Sequence, residues 1–477
     1  MNSKFRLFSL ASAAAASVLL VLSPTVTAQV SYQLQANTTS PAVKPTSSET
    51  GKEQNPAPAE TQILSFDDAV KSALGGSYAT LSAEERINEA RGKAYEAKTS
   101  FLPQVGGIVS EKTQTLNLAA MGFASGVFPG SLPLLLGPFN TFDARAKLVQ
   151  SIFDWKAIQQ YKAGQAGVAL AQIDEQLARQ QVITRTAIAY LNSISAEKAV
   201  DAERANMELA ASLLRLAQYR REAGFATGID VTRAEIRLAE SRLRLSQSET
   251  TSHQAQMELL RTAALPLSRS VKLIDTLRFS PEPLPPAAEL ITEAQRDRLE
   301  IKMAEEQVRI TGYQLSASKA ERLPKVEFVG DYGESWNTPW TKSIPTRTAG
   351  VNVTIPIFGG RADAHISQSR SQQQQALLKL HDVRAQVEED IRLSLQHLIT
   401  ADEQVRVARQ ALTLSQRELE MARDRFTAGV ADNLEVINAQ TNLTIARERE
   451  VAALAQYNAA RINVAAARGK VESFHWQ

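Results

Sequence analysis

Few residues in this chain are placed to do chemistry, and two carboxylates stand out. Asp230 and Glu435 each follow a glycine turn, in segments that match: Ala223-Gly224 then Ile229-Asp230-Val231, against Ala428-Gly429 then Leu434-Glu435-Val436. Acids crowded at one place repel, attract cations and raise one another's pKa. A second reading is also open, because an acid in the first turn of a helix is favoured by the macrodipole. Other chemistry is poorly served. The histidines (His253, His365, His381, His397 and His475) are scattered, and no pair is spaced i, i+4 around a carboxylate. No metal site and no cofactor are expected. The absence of cysteine excludes a disulfide scaffold, a thiolate zinc site, a thiol nucleophile and a cysteine-linked lipid. Neither Gly106-Gly107 nor Gly359-Gly360 is followed by Gly-Lys-Ser/Thr, so no phosphate loop is present.

The elements that position these acids are legible in the pattern. Lys4, Arg6, an apolar run over 7–22 and the small residues Val26-Thr27-Ala28 read as a signal peptide, 1–28. Without Lys4 and Arg6 the 53 basic residues fall to 51, equal to the 51 acidic ones. A neutral chain is not a nucleic-acid binder of the basic-surface kind. Residues 29–60 are polar and rich in Ser, Thr, Pro and Gln, a disordered linker. No later segment offers the ~20 apolar residues of a membrane helix.

Proline is absent from 151–265 and from 357–477, and glycine interrupts each stretch near its middle: Gly224 and Gly228 in the first, Gly429 in the second. Each stretch therefore reads as a long helix, a tight turn and a second helix. The segment 155–224 would be ~100 Å long at 1.5 Å per residue. Ile391, Ser394, Leu398, Ala401, Val405, Ala408, Leu412, Ser415, Leu419, Ala422 and Phe426 follow spacings of three and four, the period of a left-handed coiled coil. Leu170, Ile173, Leu177, Gln180, Thr184, Ala187, Leu191 and Ile194 repeat it less cleanly. The halves also match each other. Ala223-Gly224, Ala234, Leu238 and Ile152-Phe153 recur 205 positions later, and Leu102-Pro103 recurs 221 positions later. The chain reads as a tandem duplication, 61–266 and 290–477 around a linker at 267–289, with 16 extra residues between Leu102 and Phe153.

Each half carries an insert with strand alternation. In the first, 104–117 and 140–153 flank a loop, and Phe142, Ala144, Ala146 and Leu148 alternate with Asp143, Arg145 and Lys147. In the second, Val326, Phe328, Gly330 and Tyr332 oppose Glu327 and Asp331, and Ala349, Val351, Val353 and Ile355 oppose Thr348, Asn352 and Thr354. Such strands suit lipid on one side and water on the other, although a soluble sheet alternates too. Trp336 and Trp340 lie near the turn, where an aromatic girdle would sit. Four strands cannot close a barrel, and a membrane admits no open edge, so a membrane reading requires an oligomer.

The chain resembles the TolC-like outer membrane efflux proteins. The resemblance rests on Leu102-Pro103-Gln104-Val105 and Leu323-Pro324-Lys325-Val326, on Ser151-Ile152-Phe153-Asp154 and Ile355-Pro356-Ile357-Phe358-Gly359-Gly360-Arg361, and on the two glycine turns. It implies a mainly α fold with a membrane β part. Long antiparallel coiled-coil helices and four strands per chain would build a homotrimer with a twelve-stranded barrel in the outer membrane lipid and a periplasmic tunnel below. The expected partners are a periplasmic adaptor and an inner membrane pump, docking at the tips marked by Gly224, Gly228 and Gly429. The expected function is a passive duct for efflux or type I secretion, not an enzyme. In the trimer, six carboxylates from Asp230 and Glu435 would ring the periplasmic aperture. Asn438 stands where relatives can carry a second acidic ring. Ala431 and Phe426 stand where relatives carry the Arg and Tyr that hold the entrance shut, so the gate would be held by other bonds, such as one from Arg233 or Arg425, or would sit more open. The alternative is a periplasmic adaptor or coiled-coil scaffold, although an adaptor would carry one hairpin and a trimeric adhesin would place its strands at the C-terminus. The cargo, the pump and the role of the apolar loop at 122–139 are not encoded legibly.

Overall fold

The computed structural model describes residues 62–120, 135–281, 283, 285–337, 344–430 and 433–476. The expected signal peptide and disordered linker, most of the first hairpin loop, Trp340 and Ala431 lie outside the described residues.

The elements run β1 (Gln62–Leu64), α1 (Phe66–Gly76), α2 (Tyr78–Thr99), β2 (Gln104–Asn117), β3 (Leu135–Phe153), α3 (Trp155–Glu222) and α4 (Gly228–Thr262). There follow β4 (Val271–Leu273), α5 (Ala287–Asp297), α6 (Leu299–Ala320), β5 (Lys325–Trp336), β6 (Ile344–Thr354), α7 (Gly360–Thr427) and α8 (Asn433–Ala467). Helices α3 and α7 have 68 residues each, and α4 and α8 have 35 each. Both ends of α7 and α8 lie 205 positions after those of α3 and α4, and both ends of α5 and α6 lie 221 positions after those of α1 and α2. The two offsets read from short motifs thus recur at every helix boundary. At ~1.5 Å per residue the long helices reach ~100 Å. No proline interrupts them, and Asp154 caps α3 by accepting from Ala157 N–H at 3.0 Å.

Neighbour relations repeat in three tiers. The sheet is ordered β2-β3-β5-β6, all antiparallel. Next to it the helices pack α2 on α3, α3 on α6 and α6 on α7, and farther along α4 packs on α3, α3 on α8 and α8 on α7. Helices α3 and α7 run through both helical tiers. The sheet register puts Val105, Val109, Phe142, Leu148, Phe328 and Val351 on one face and Lys112, Asp143, Arg145, Lys147, Asp331 and Asn352 on the other. On the polar face Arg145 reaches Asp331 at 2.6 Å and Asp143 at 3.0 Å. Glu111, Glu334 and Arg347 share the apolar face, all toward its loop end, where Trp336 stands opposite Phe142. Strand β3 starts five residues earlier than the alternation suggested, because Leu135 and Leu136 continue the ladder to Asn117 and Leu116 past an irregularity.

The segment between the repeats, expected as an equatorial linker at 267–289, carries a strand and the start of a helix. Strand β4 pairs in parallel with β1, and α5 already starts at Ala287. Val271 and Leu273 join a core of Leu64, Phe66, Tyr190, Leu191, Ile194, Leu259 and Ile462. The Tyr190 hydroxyl lies 2.6 Å from Asp275 Oδ2 and 3.2 Å from Leu64 O. The C-terminal tail returns here: Phe474 and Trp476 pack edge-on around Phe66 and Tyr190. Each fully buried large side chain in such a core stabilises by about 1.5–3 kcal/mol, and this core joins the two halves at mid-height.

Candidate functional site

The two long helices end in the same way at the hairpin tips. Helix α3 ends with Gly224 at φ +78° and α7 with Gly429 at φ +77°. In the first, Phe225 N–H bonds to Arg220 O and Gly224 N–H to Arg221 O, and in the second Val430 bonds to Arg425 O and Gly429 to Phe426 O. These are Schellman caps, which need a left-handed residue that glycine adopts without strain. Gly228 differs: it is the first residue of α4, with no left-handed backbone. The break it was expected to share with Gly224 is made by 224–227 alone.

Asp230 sits at the third position of α4, in a capping box with Thr227. Its Oδ2 accepts from Thr227 N–H at 2.9 Å and from the Thr227 hydroxyl at 2.7 Å. The Thr227 backbone bond, joined by the Thr227 hydroxyl, Arg233 and Arg220, holds this carboxyl below its ordinary 3.8. Glu435 occupies the matching place in α8, and Arg425 Nε lies 3.5 Å from its Oε1. Asn438 is exposed one turn later. Each acid is therefore fastened within its own hairpin, Asp230 to the helix start and Glu435 to the arginine anticipated from sequence as an alternative latch.

Phe426 is 5% exposed and packs with Leu213, Leu419, Ala422, Val436 and Leu443. Its ring therefore serves the core rather than reaching across an entrance. The Arg220 guanidinium of α3 lies 4.1 Å above that ring, with Nε and Nη1 buried and without hydrogen bonds. This cation–π contact joins the two hairpins at their tips. Arg220 was missed in the sequence. The signal was available, since Leu213, Ala217 and Arg220 continue the spacing of four and three and put a cation at a seam position.

Farther from the tips a polar clasp joins α3 to its neighbours. Glu203 is 6% exposed, with Asn206 Nδ2 at 3.3 Å and Arg244 of α4 at 3.6 Å. Arg447 of α8 donates to Asn206 Oδ1 at 2.7 Å. Burial first, and Glu448 second, push the Glu203 carboxyl above its ordinary value. Among the described residues no group of His, Asp and Glu could hold a metal ion, and no helix is long and apolar enough to cross a membrane.

The geometry so far is a four-stranded sheet with one apolar face, continued by paired 68-residue helices that end in two equivalent acid-bearing turns. The signature of the outer membrane efflux protein family matches residues 69–264 and 290–470, which covers both repeats and skips the segment between them. The chain belongs to the outer membrane efflux protein family. Membership places it at the outer membrane, with its helical part in the periplasm. Among relatives, the alkaline protease secretion protein AprF of Pseudomonas aeruginosa is 22% identical over 311 residues, 64% of this chain and 65% of that protein, just under two thirds of its length. The pyoverdine export outer membrane protein OpmQ of the same organism is 24% identical over 86% of this chain and 85% of that protein. The crystal structure of the Campylobacter jejuni CmeC outer membrane channel shares the fold, with a TM-score of 0.73, 18% identity and coverage of 91% of this chain and 96% of that one.

Proposed function

We propose that the protein is the channel-tunnel of a tripartite efflux or type I secretion system, a passive duct from a periplasmic adaptor and inner membrane pump to the outside. The observation that carries this is the sheet. Its apolar face, polar face and two unpaired edge strands, β2 and β6, make it a piece of a barrel wall rather than a finished domain. A homotrimer would supply twelve strands and close it in outer membrane lipid. Residues 1–28 would direct export, 29–60 would be a linker, and the two repeats would each supply one strand hairpin and one helical hairpin. The tips at Gly224, Gly228 and Gly429 would meet the adaptor. Two of the relatives carry names tied to different cargo, a secreted protease and pyoverdine, which fits a duct whose selectivity lies in its pump.

At the entrance, Asp230, Glu435 and the neutral Asn438 would line the aperture. Three copies would present six carboxylates and favour cations. Arg425 beside Glu435 and Arg220 on Phe426 would set how far the hairpins part, in place of a latch at Phe426 and Ala431. Single-channel recording in planar bilayers tests this. Discrete conductance steps are expected, with cation preference reduced in Asp230→Asn/Glu435→Gln. A silent bilayer with folded oligomer present would overturn the duct, and an unchanged reversal potential would overturn the aperture assignment alone.

A further inference from the structure

The buried face of α3 toward the tips departs from an ordinary seam. Val200, Glu203, Asn206, Ala210, Leu213 and Ala217 are buried at steps of three and four, the spacing of a coiled-coil seam, whose positions are ordinarily apolar. Two consecutive ones are a carboxylate and an amide. At the matching places 205 residues later, α7 has Ala408 and Ala411. The first repeat therefore buries a charge where the second has methyl groups. Polar seam residues cost stability and are kept where one arrangement must be specified or switched.

Three helices face the Glu203 carboxyl. Within α3, Asn206 Nδ2 donates to Oε1 at 3.3 Å. From α4, Arg244 Nε lies 3.6 Å from Oε2, beyond hydrogen-bond reach, and both of these buried atoms lack a hydrogen bond. From α8 come Arg447, which donates to Asn206 Oδ1 at 2.7 Å, and Glu448. Burial, followed by the Glu448 charge, pushes the Glu203 carboxyl above its ordinary 4.5. Burial also lowers the Arg447 guanidinium. Ionised, Glu203 faces a like charge on α8 while one of its oxygens has no donor. Protonated, it loses that repulsion and gains an O–H to donate. Glu203 and Asn206 belong to the first hairpin, Arg447 and Glu448 to the second, so these contacts span the line along which the two hairpins part. They lie seventeen residues along α3 from Arg220, ~25 Å from the tip contact with Phe426.

We infer that Glu203, with Arg244 of α4 and Arg447 and Glu448 of α8, forms a proton-operated clasp between the hairpins: protonated, Glu203 holds α8 to α3, and loss of the proton sets two carboxylates against each other and loosens the seam above the tips. The sign follows from hydration. Where the hairpins part, Glu203 meets water and titrates in the ordinary glutamate range, so the joined seam binds the proton more tightly. The clasp is therefore at full strength below the ordinary value and is lost as pH rises through the raised one. It needs only the packing within one chain, so it stands or falls apart from the duct.

Hydrogen exchange of the full-length protein, purified in detergent, tests this. Wild type and Glu203→Gln are compared at the same pH, so that intrinsic exchange and every other titrating group cancel in the ratio of their rates. Glutamine is neutral at every pH and keeps a donor. Over 200–210 of α3 and 443–451 of α8, the ratio should be flat near pH ~4 and then climb as the wild type exchanges faster, about tenfold per pH unit between the ordinary and raised values of the carboxyl. In α6 (Leu299–Ala320) it should stay flat throughout. A flat ratio at every pH in the clasp segments would overturn the clasp. So would slower exchange in the wild type at neutral pH, since the ionised Glu203–Arg244 pair would then be what holds the seam. If Glu203→Gln does not reach the membrane, Glu448→Gln replaces it. That side chain is exposed, and its neutralisation should slow neutral-pH exchange in the same segments, whereas unchanged exchange would overturn the carboxyl pair.

Discussion

Asp230 has two roles that a pair of substitutions separates. Its carboxylate accepts the otherwise unpaired Thr227 N–H at the start of α4 and puts negative charge at the helix N-terminus. Loss of a capping acceptor costs about 1 kcal/mol, and loss of the charge about 0.5 kcal/mol more. Asp230→Ala removes both, about 1.5 kcal/mol. Asp230→Asn keeps an acceptor and loses only the charge, about 0.5 kcal/mol. Hydrogen exchange of the first turn of α4 reads this locally, which suits an oligomer without a two-state melt. Exchange there should quicken about tenfold in the Ala variant and roughly twofold in the Asn variant, at ~1.4 kcal/mol per decade. The pH dependence follows from the sign of the shift. The folded carboxyl titrates below its ordinary 3.8, so its contribution is full above that value and fades as pH falls through the lowered one. The wild type should then approach the Asn variant. Equal exchange in the two variants at neutral pH would refute the acceptor role, and unchanged exchange in both would refute the cap. Ion selectivity in a bilayer should respond to the two substitutions alike, because it depends on charge and not on the acceptor.

The glycine turns and the tip core make further predictions. An alanine Cβ at Gly429 or Gly224 would meet nothing within 4 Å, so the penalty of Gly429→Ala is the left-handed backbone alone, roughly 1–2 kcal/mol, and Gly224→Ala should match it. Gly228→Ala should be neutral or stabilising by up to ~1 kcal/mol. Exchange in the last turns of α3 and α7 checks Gly224→Ala and Gly429→Ala, exchange in the first turn of α4 checks Gly228→Ala, and equal penalties at Gly228 and Gly429 would contradict the turn assignment. Phe426→Ala empties a buried ring site worth about 3–5 kcal/mol and releases Arg220. Tryptic cleavage at Arg220 and Arg425 should accelerate, and unchanged rates would show that the ring does not pin the two hairpins.

The family is common to both levels of reading, and the residues show why some features were legible and others were not. Proline-free stretches, spacings of three and four, and strict alternation are local properties of the backbone's own geometry. They therefore located α3, α4, α7 and α8, the seam from Ile391 to Phe426 and strand β2 to the residue. The left-handed glycines were legible because Gly224 and Gly429 end long helical patterns, whereas Gly228 was misgrouped, since a glycine can also simply begin a helix. Periodicity reports which face of an element is apolar and leaves open what covers it. That Val271 and Leu273 of the expected linker complete the Tyr190 core, that the tail folds back through Phe474 and Trp476, and that Arg220 rests on a buried Phe426 all depend on residues some 80 to 400 positions apart. Nothing local encodes such partners, because they are chosen by which surfaces the assembled helices leave facing one another.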